Sequence, residues 1–183
     1  MADFLADHGD AYDDHCQQPG MAPEVPLARA HVITASNRAS AGVYEDRSGQ
    51  VLAAGLAELG LTVSGPEVLP DDAAALTAAL RAAVDLGTEV IVTTGGTGLS
   101  PTDVTPEATS PVLDREVPGL AEALRRYGQD QTPYAVISRG LVGVAGRSLV
   151  VNLPGSTGGV RDGLAVLGPL LGHIVSQLHG GDH

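Results

Sequence analysis

The chain has 183 residues, a formal net charge of −12 at pH 7, and a single cysteine, Cys16. That charge excludes a nucleic-acid partner held through its phosphates, which needs a basic face, and one cysteine excludes both an intrachain disulfide and a cysteine-built zinc site. No apolar run reaches bilayer-spanning length and no basic n-region precedes an apolar core at the start, so neither a membrane segment nor a signal peptide is expected and the chain reads as cytoplasmic.

Residues 1–26 carry Asp3, Asp7, Asp10, Asp13, Asp14 and Glu24, no basic residue and few apolar ones. They are predicted to form a solvated, disordered acidic arm. The remaining 16 acidic residues face all 10 basic ones, leaving about −6, an ordinary value for a domain over residues 27–183. Every basic residue is arginine, so a cation in any site is a guanidinium rather than a lysine point charge.

Along the domain, His31 to Ala35 reads as a first strand. Leu52, Leu56 and Leu59 follow at helical spacing until Gly60 stops them. Leu61 to Leu69 offers a weaker second strand. Asp71 is a candidate N-cap for a helix carrying Leu76, Leu80, Ala83 and Val84 on one face and ending at Gly87. Val90, Ile91 and Val92 are the β-branched run of a central parallel strand. A helix near Gly119 to Tyr127, a strand near Tyr134 to Ser138 and a strong strand from Ser148 to Leu153 follow. The last helix holds Val160, Leu164, Leu167, Leu171, Ile174 and Leu178, with Gly168 and Pro169 predicted to kink or split it. Strand and helix in alternation is the doubly wound α/β pattern, with no internal repeat and no second domain.

The most informative segment is TTGGTGLSPTDVTPEAT, Thr93 to Thr109. Gly95, Gly96 and Gly98 let the backbone turn at a strand's carboxyl end, where N–H groups beside Thr97 can approach a phosphate. Thr105, Pro106 and Glu107 read as an N-cap, a proline at the first helical position and an acid in the first turn; Glu107 either lines the pocket or serves only the helix dipole. Asp103 lies between the two anion sites. A carboxylate there repels a phosphate unless a cation accompanies it, and Mg²⁺ is the usual bridge. The plain alternative is a strand-to-helix loop with Asp103 as a surface carboxylate. Neither the Walker A loop nor the dinucleotide fingerprint fits.

In doubly wound sheets ligands bind outside the carboxyl ends of the strands. Ser36, Asn37 and Arg38 follow the first strand, Asp71 the second, Gly95 the third, and Pro154, Gly155 and Ser156 the last. Four distant segments are thus expected at one mouth.

These motifs together resemble the MoaB/Mog family of molybdenum-cofactor proteins. The resemblance runs from about Ala30 to about Leu178, through SNRASAGVYEDRSG (Ser36 to Gly49), LPDD (Leu69 to Asp72), the glycine segment, LDREVPGL (Leu113 to Leu120), SRG (Ser138 to Gly140) and NLPGS (Asn152 to Ser156). It implies a three-layer αβα, mostly parallel molybdopterin-binding fold, commonly trimeric, that transfers AMP from ATP to molybdopterin and releases pyrophosphate. On that reading Asp103 and Asp71 are catalytic and hold Mg²⁺. Ser36, Asn37, Arg38, Gly95, Gly96, Thr97, Gly98, Glu107, Ser138, Arg139, Pro154, Gly155 and Ser156 bind the pterin and the nucleotide. The implied partners are a homotrimer and a downstream molybdenum-insertion protein.

Two positions depart from the family pattern. Asn37 stands where many relatives have aspartate, and Thr157, Gly158 and Gly159 replace a proline-lysine pair, so that Arg161 or Arg139 is left to supply the missing cation. A non-catalytic pterin-binding paralogue is the alternative from another class. Pterin carbinolamine dehydration fits less well, since it wants histidine at the pocket; His8, His15, His173, His179 and His183 lie toward the ends and His31 at a strand start.

Overall fold

Residues 28–181 are described in the structure, a computed structural model. The acidic arm, Cys16, His8, His15 and His183 lie outside the described residues.

Six strands form one mixed sheet in the order β2-β1-β3-β6-β5-β4. β1 (Arg29–Ala35), β2 (Thr62–Leu69), β3 (Val90–Thr94) and β6 (Ser148–Leu153) are parallel, while at one edge β5 (Val142–Ala145) pairs antiparallel with β6 and the two-residue β4 (Arg115–Glu116) antiparallel with β5. Helices cover both faces, which gives the α/β three-layer arrangement. Alternation sorts the strand side chains. Ala30, Val32, Val90, Val92, Leu149 and Val151 join the core under α2 (Arg47–Glu58), α5 (Pro118–Gln129) and α6 (Thr157–Leu178). Ile33, Ala35, Ile91 and Val150 face α3 (Ala73–Asp85) and the short α4 (Thr105–Thr109). A parallel strand buried on both faces reads as a continuous apolar run, and all five residues of β3 are buried.

Several expected elements take another form. The cap of α3 is Asp72, whose side chain accepts from the Ala75 amide at 2.8 Å; Asp71 is used elsewhere. Thr105 does not cap α4, since its hydroxyl donates to the Gly95 carbonyl at 2.9 Å and its amide to the Gly96 carbonyl at 3.1 Å. The segment expected as a strand near Tyr134 is a 3-10 turn, Pro133–Ile137, entered from Thr132 with a proline at its start. Its apolar residues Tyr134, Val136 and Ile137 are exposed, so no sheet face buries them. The strand that pairs with β6 on the side away from β3 is β5, joined to it through the tight Gly146-Arg147 turn; its Val-Gly-Val-Ala sequence carries little strand signal. α6 is one helix through Pro169 rather than two. Pro169 and Ala165 are both exposed, so the carbonyl that the proline ring leaves unpaired meets water rather than the core.

Candidate active site

The register of the sheet aligns the strand ends. Ala35 pairs with Leu69, Thr34 with Thr94, and Thr94 with Leu153. The loops that follow therefore open on one rim, and they are tied together: Ser36 donates its amide to the Leu69 carbonyl at 2.9 Å, and Gly95 its amide to the Leu153 carbonyl at 3.0 Å. The neighbouring strands β1 and β3 leave on opposite faces, β1 toward α2 and β3 toward α4, so the rim between them is the topological switch point at which open α/β sheets form a crevice.

The glycine turn is built for close approach. Gly95 has φ +97°, and a Cβ there would strike the Ala35 carbonyl oxygen; Gly96 has φ +62°, with Thr105 Oγ1 and Asp71 Oδ1 occupying the space of a side chain. The amides of Gly96, Thr97 and Gly98 make no hydrogen bond among the described residues, which leaves three successive donors at the turn free for an anion. Beneath them lies a buried network. Asn152 Nδ2 donates to Thr93 Oγ1 and Thr109 Oγ1, both at 3.0 Å, and Asn152 Oδ1 accepts from the Leu141 amide at 3.1 Å. Thr109 in turn donates to the Thr105 carbonyl at 2.8 Å. This chain of bonds fixes α4 and the glycine turn to β6.

Two cavities meet at the turn. The first, about 650 Å³, is walled by Ala121 and Leu124 of α5, Ala135 and Ile137 of the 3-10 turn, and Leu153. Thr97, Gly98, Ser138, Pro154 and Ser156 also line it. The second, about 510 Å³, is polar and lined by Ser36, Tyr44, Glu45, Asp46, Arg47 and Asp71, among others. Gly95, Gly96, Asp103 and Gly155 belong to both walls.

Each aspartate keeps one oxygen bound and one open. Asp71 Oδ2 accepts from the Asn37 amide at 2.9 Å, and Asp103 Oδ2 from the Ser100 amide at 2.8 Å. Neither Oδ1 has a partner among the described residues. Two hard carboxylate oxygens suit Mg²⁺ completed by phosphate oxygens and water. No group of three or more acid, histidine or cysteine side chains capable of holding a metal occurs among the described residues, which rules out an all-protein cage there.

Four of the sequence candidates line neither cavity. Arg139 spends its guanidinium on the loop: Nε donates to the Gly98 carbonyl at 2.7 Å, Nη2 to the Asp103 carbonyl at 2.6 Å, and Nη1 to Glu107. That hydrogen bond holds the Glu107 carboxyl below the usual glutamate range. Asn37 binds Asp71, and Arg38 lies over the Tyr44 ring, 4.9 Å from its centroid. Arg161 lines neither cavity either, so the cations at the two walls are Arg47 and Arg125. No histidine lines a wall. Sequence reasoning missed Asp46, Arg47, Arg125 and Asp162. Asp46 had a local signal, being an acid three residues before Gly49, whose amide it caps at 2.8 Å while its Oδ2 accepts from Thr34 Oγ1 at 2.6 Å. Asp162 had another, as the only acid in the 22 residues of α6.

Residues 31–173 match the family model described as probable molybdopterin binding domain. The chain belongs to this molybdopterin-binding family. It is 36% identical over 152 residues to a molybdopterin adenylyltransferase of Helicobacter pylori, covering 81% of this chain and 86% of that one. It is 40% identical over 175 residues to a molybdenum cofactor biosynthesis bifunctional protein of Synechococcus elongatus, covering 92% of this chain and 55% of the relative, so the chain spans about half the length of that longer protein. Among solved structures, a molybdopterin biosynthesis protein from Mycobacterium abscessus superposes with a TM-score of 0.81 at 42% identity, over 85% of this chain and 98% of that one. The same fold is thus present in members of the MoaB and Mog type, as the sequence motifs implied. No helix among the described residues is long and apolar enough to cross a membrane.

Proposed function

We propose that the chain is a molybdopterin adenylyltransferase of molybdenum cofactor biosynthesis, taking molybdopterin and ATP. The observation that carries this reading is the pair of cavities sharing Gly95, Gly96, Asp103 and Gly155: one wall is apolar, the other acidic, and three free amides lie at the turn between them. Two substrates seated in the two cavities bring their phosphates to one place, which is what the reaction requires.

A phosphate oxygen of molybdopterin attacks the α-phosphorus of ATP; the new P–O bond forms as the bond from that phosphorus to the bridging oxygen breaks, and pyrophosphate leaves. The obstacle is the approach of two anions, so positioning and charge stabilisation carry the catalysis. Asp71 and Asp103, each with a free Oδ1, would hold Mg²⁺, which would supply positive charge to the phosphates. The amides of Gly96, Thr97 and Gly98 hold phosphate oxygens, Arg47 adds a cation at the acidic wall, and Arg139 holds the loop in shape from behind. The sequence resemblance extends the reading to a homotrimer that passes its product to a molybdenum-insertion protein; sedimentation equilibrium near three times 18.5 kDa tests the first part.

Incubation of the pure protein with molybdopterin, ATP and Mg²⁺ should yield adenylylated molybdopterin and pyrophosphate in equal amounts. Asp103→Asn should keep pterin binding and lose most transfer, because an amide is a poor ligand for a hard cation. Pterin binding without any transfer by the unaltered protein identifies a non-catalytic binding protein instead.

A further inference from the structure

Asp162 is a carboxylate with no hydrogen bond and no ion pair among the described residues. It stands on the second turn of α6 and lines the larger, mostly apolar cavity. Across that space Gly128 of α5 is buried; a Cβ there would lie 3.0 Å from the Ala135 Cβ and 4.0 Å from Asp162 Oδ2, so the missing side chain keeps the space between α5 and α6 open up to the carboxylate. A half-buried, unpaired carboxylate facing an apolar cavity costs stability in the empty protein, and a ligand that donates to both oxygens recovers it. Arg125 lines the same cavity, with Nη1 held by the Gly140 carbonyl at 3.1 Å, and Tyr134 stands at the rim.

We propose that Asp162 reads the 2-amino and N3–H edge of the pterin ring and so determines the specificity of the larger cavity. A 2-amino-4-oxopyrimidine presents two parallel N–H donors, which match the two oxygens of one carboxylate as a guanidinium does. Adenine presents an amino donor beside a bare ring nitrogen, and a carboxylate repels the latter. The base of ATP is therefore turned away from this cavity, and the pterin takes it between the flat apolar walls of Ala121, Leu124, Ala135 and Ile137. The assignment rests on the proposed substrates but not on transfer itself, since it concerns recognition of the ring alone.

The test exchanges the donor pattern. Asparagine at this position offers one acceptor and one donor, matching lumazine, the 2,4-dioxo counterpart of pterin, better than pterin. Binding of pterin and of lumazine to the full chain is followed by pteridine fluorescence for wild type, Asp162→Asn and Asp162→Ala, with AMP transfer to molybdopterin measured in parallel. Wild type should prefer pterin by about 10- to 100-fold, as expected for a charge-assisted bonding pair. Asp162→Asn should lose or invert that preference, Asp162→Ala should bind both weakly, and neither should lower the thermal midpoint of the empty protein, because Asp162 bonds to nothing among the described residues. An unchanged pterin-to-lumazine ratio in Asp162→Asn overturns the assignment, as does wild type that binds neither ring. A swapped preference in a protein that transfers no AMP leaves the assignment standing and removes the transferase reading; transfer with no preference does the reverse.

Discussion

Asn37 and Asp71 clasp each other through two hydrogen bonds: the Asn37 amide donates to Asp71 Oδ2 at 2.9 Å, and the Asp71 amide donates to Asn37 Oδ1 at 3.0 Å. The clasp joins the loop after β1 to the loop after β2 and leaves Asp71 Oδ1 toward the acidic cavity. It also accounts for asparagine at position 37. The side-chain oxygen does what an aspartate oxygen would do, without a second charge against Asp71.

Asn37→Ala should lose the Oδ1 acceptor at a cost of about 1 kcal/mol, the net worth of one partly exposed bond. AMP transfer should fall further than stability, because the Asp71 backbone loses its anchor on the loop after β1. Asn37→Asp should keep the bond and lower the Mg²⁺ concentration needed for half-maximal transfer, since it adds negative charge beside the cation's ligand. A magnesium titration of both variants beside a thermal melt separates the effects.

Asn152 is 3% exposed and makes three hydrogen bonds under the glycine turn. Replacing it with alanine strands the Leu141 amide and removes the donor shared by Thr93 and Thr109. Asn152→Ala should destabilise the protein by about 2–4 kcal/mol. Chemical denaturation at constant slope measures this; a loss below about 0.5 kcal/mol would mean that water replaces the amide.

Gly96→Ala should damage the site more than the fold. The added Cβ enters a left-handed conformation, meets Thr105 Oγ1 and comes within 3.3 Å of Asp71 Oδ1. The backbone cost is about 1–2 kcal/mol, while the displaced turn misdirects its three free amides. ATP binding by calorimetry should weaken at least tenfold in a protein that still unfolds cooperatively.

Arg139 and Glu107 give a pH dependence of known sign. The guanidinium's hydrogen bond holds the Glu107 carboxyl below its ordinary range, so the folded protein takes up that proton less readily than the unfolded chain. The stabilisation is fully present above the unfolded glutamate value of about 4.3 and disappears as pH falls through the lower, folded value. The Glu107 side chain is 53% exposed, which limits the effect to below about 1 kcal/mol. Melting wild type and Glu107→Gln from pH 7 down to pH 3 should give a constant gap that closes at the acid end. A gap that widens below pH 4 is incompatible with this pairing.

The strand and helix alternation was legible in the sequence because it rests on local repetition. The β-branched run before Gly95 can fill only a doubly buried strand, and the apolar spacing of Leu76, Leu80 and Ala83 suits only a helix face. The glycine turn, too, announced itself as a place where backbone amides are bare. The tertiary structure decided what each polar group would face. Asp71 and Asp72 are adjacent acids, and both suit a cap; Asp72 takes it because Asp71 is claimed by Asn37, 34 residues away. Arg139 reads as a candidate for substrate phosphate, yet its donors meet the Gly98 carbonyl 41 residues away, along with Asp103 and Glu107. Asp162 acquires its meaning only when α5 and α6 enclose a cavity that offers it no partner. A hydrogen-bonding group takes the best acceptor or donor within about 3 Å, and which groups come that close is set by packing across the sheet, not by neighbours along the chain.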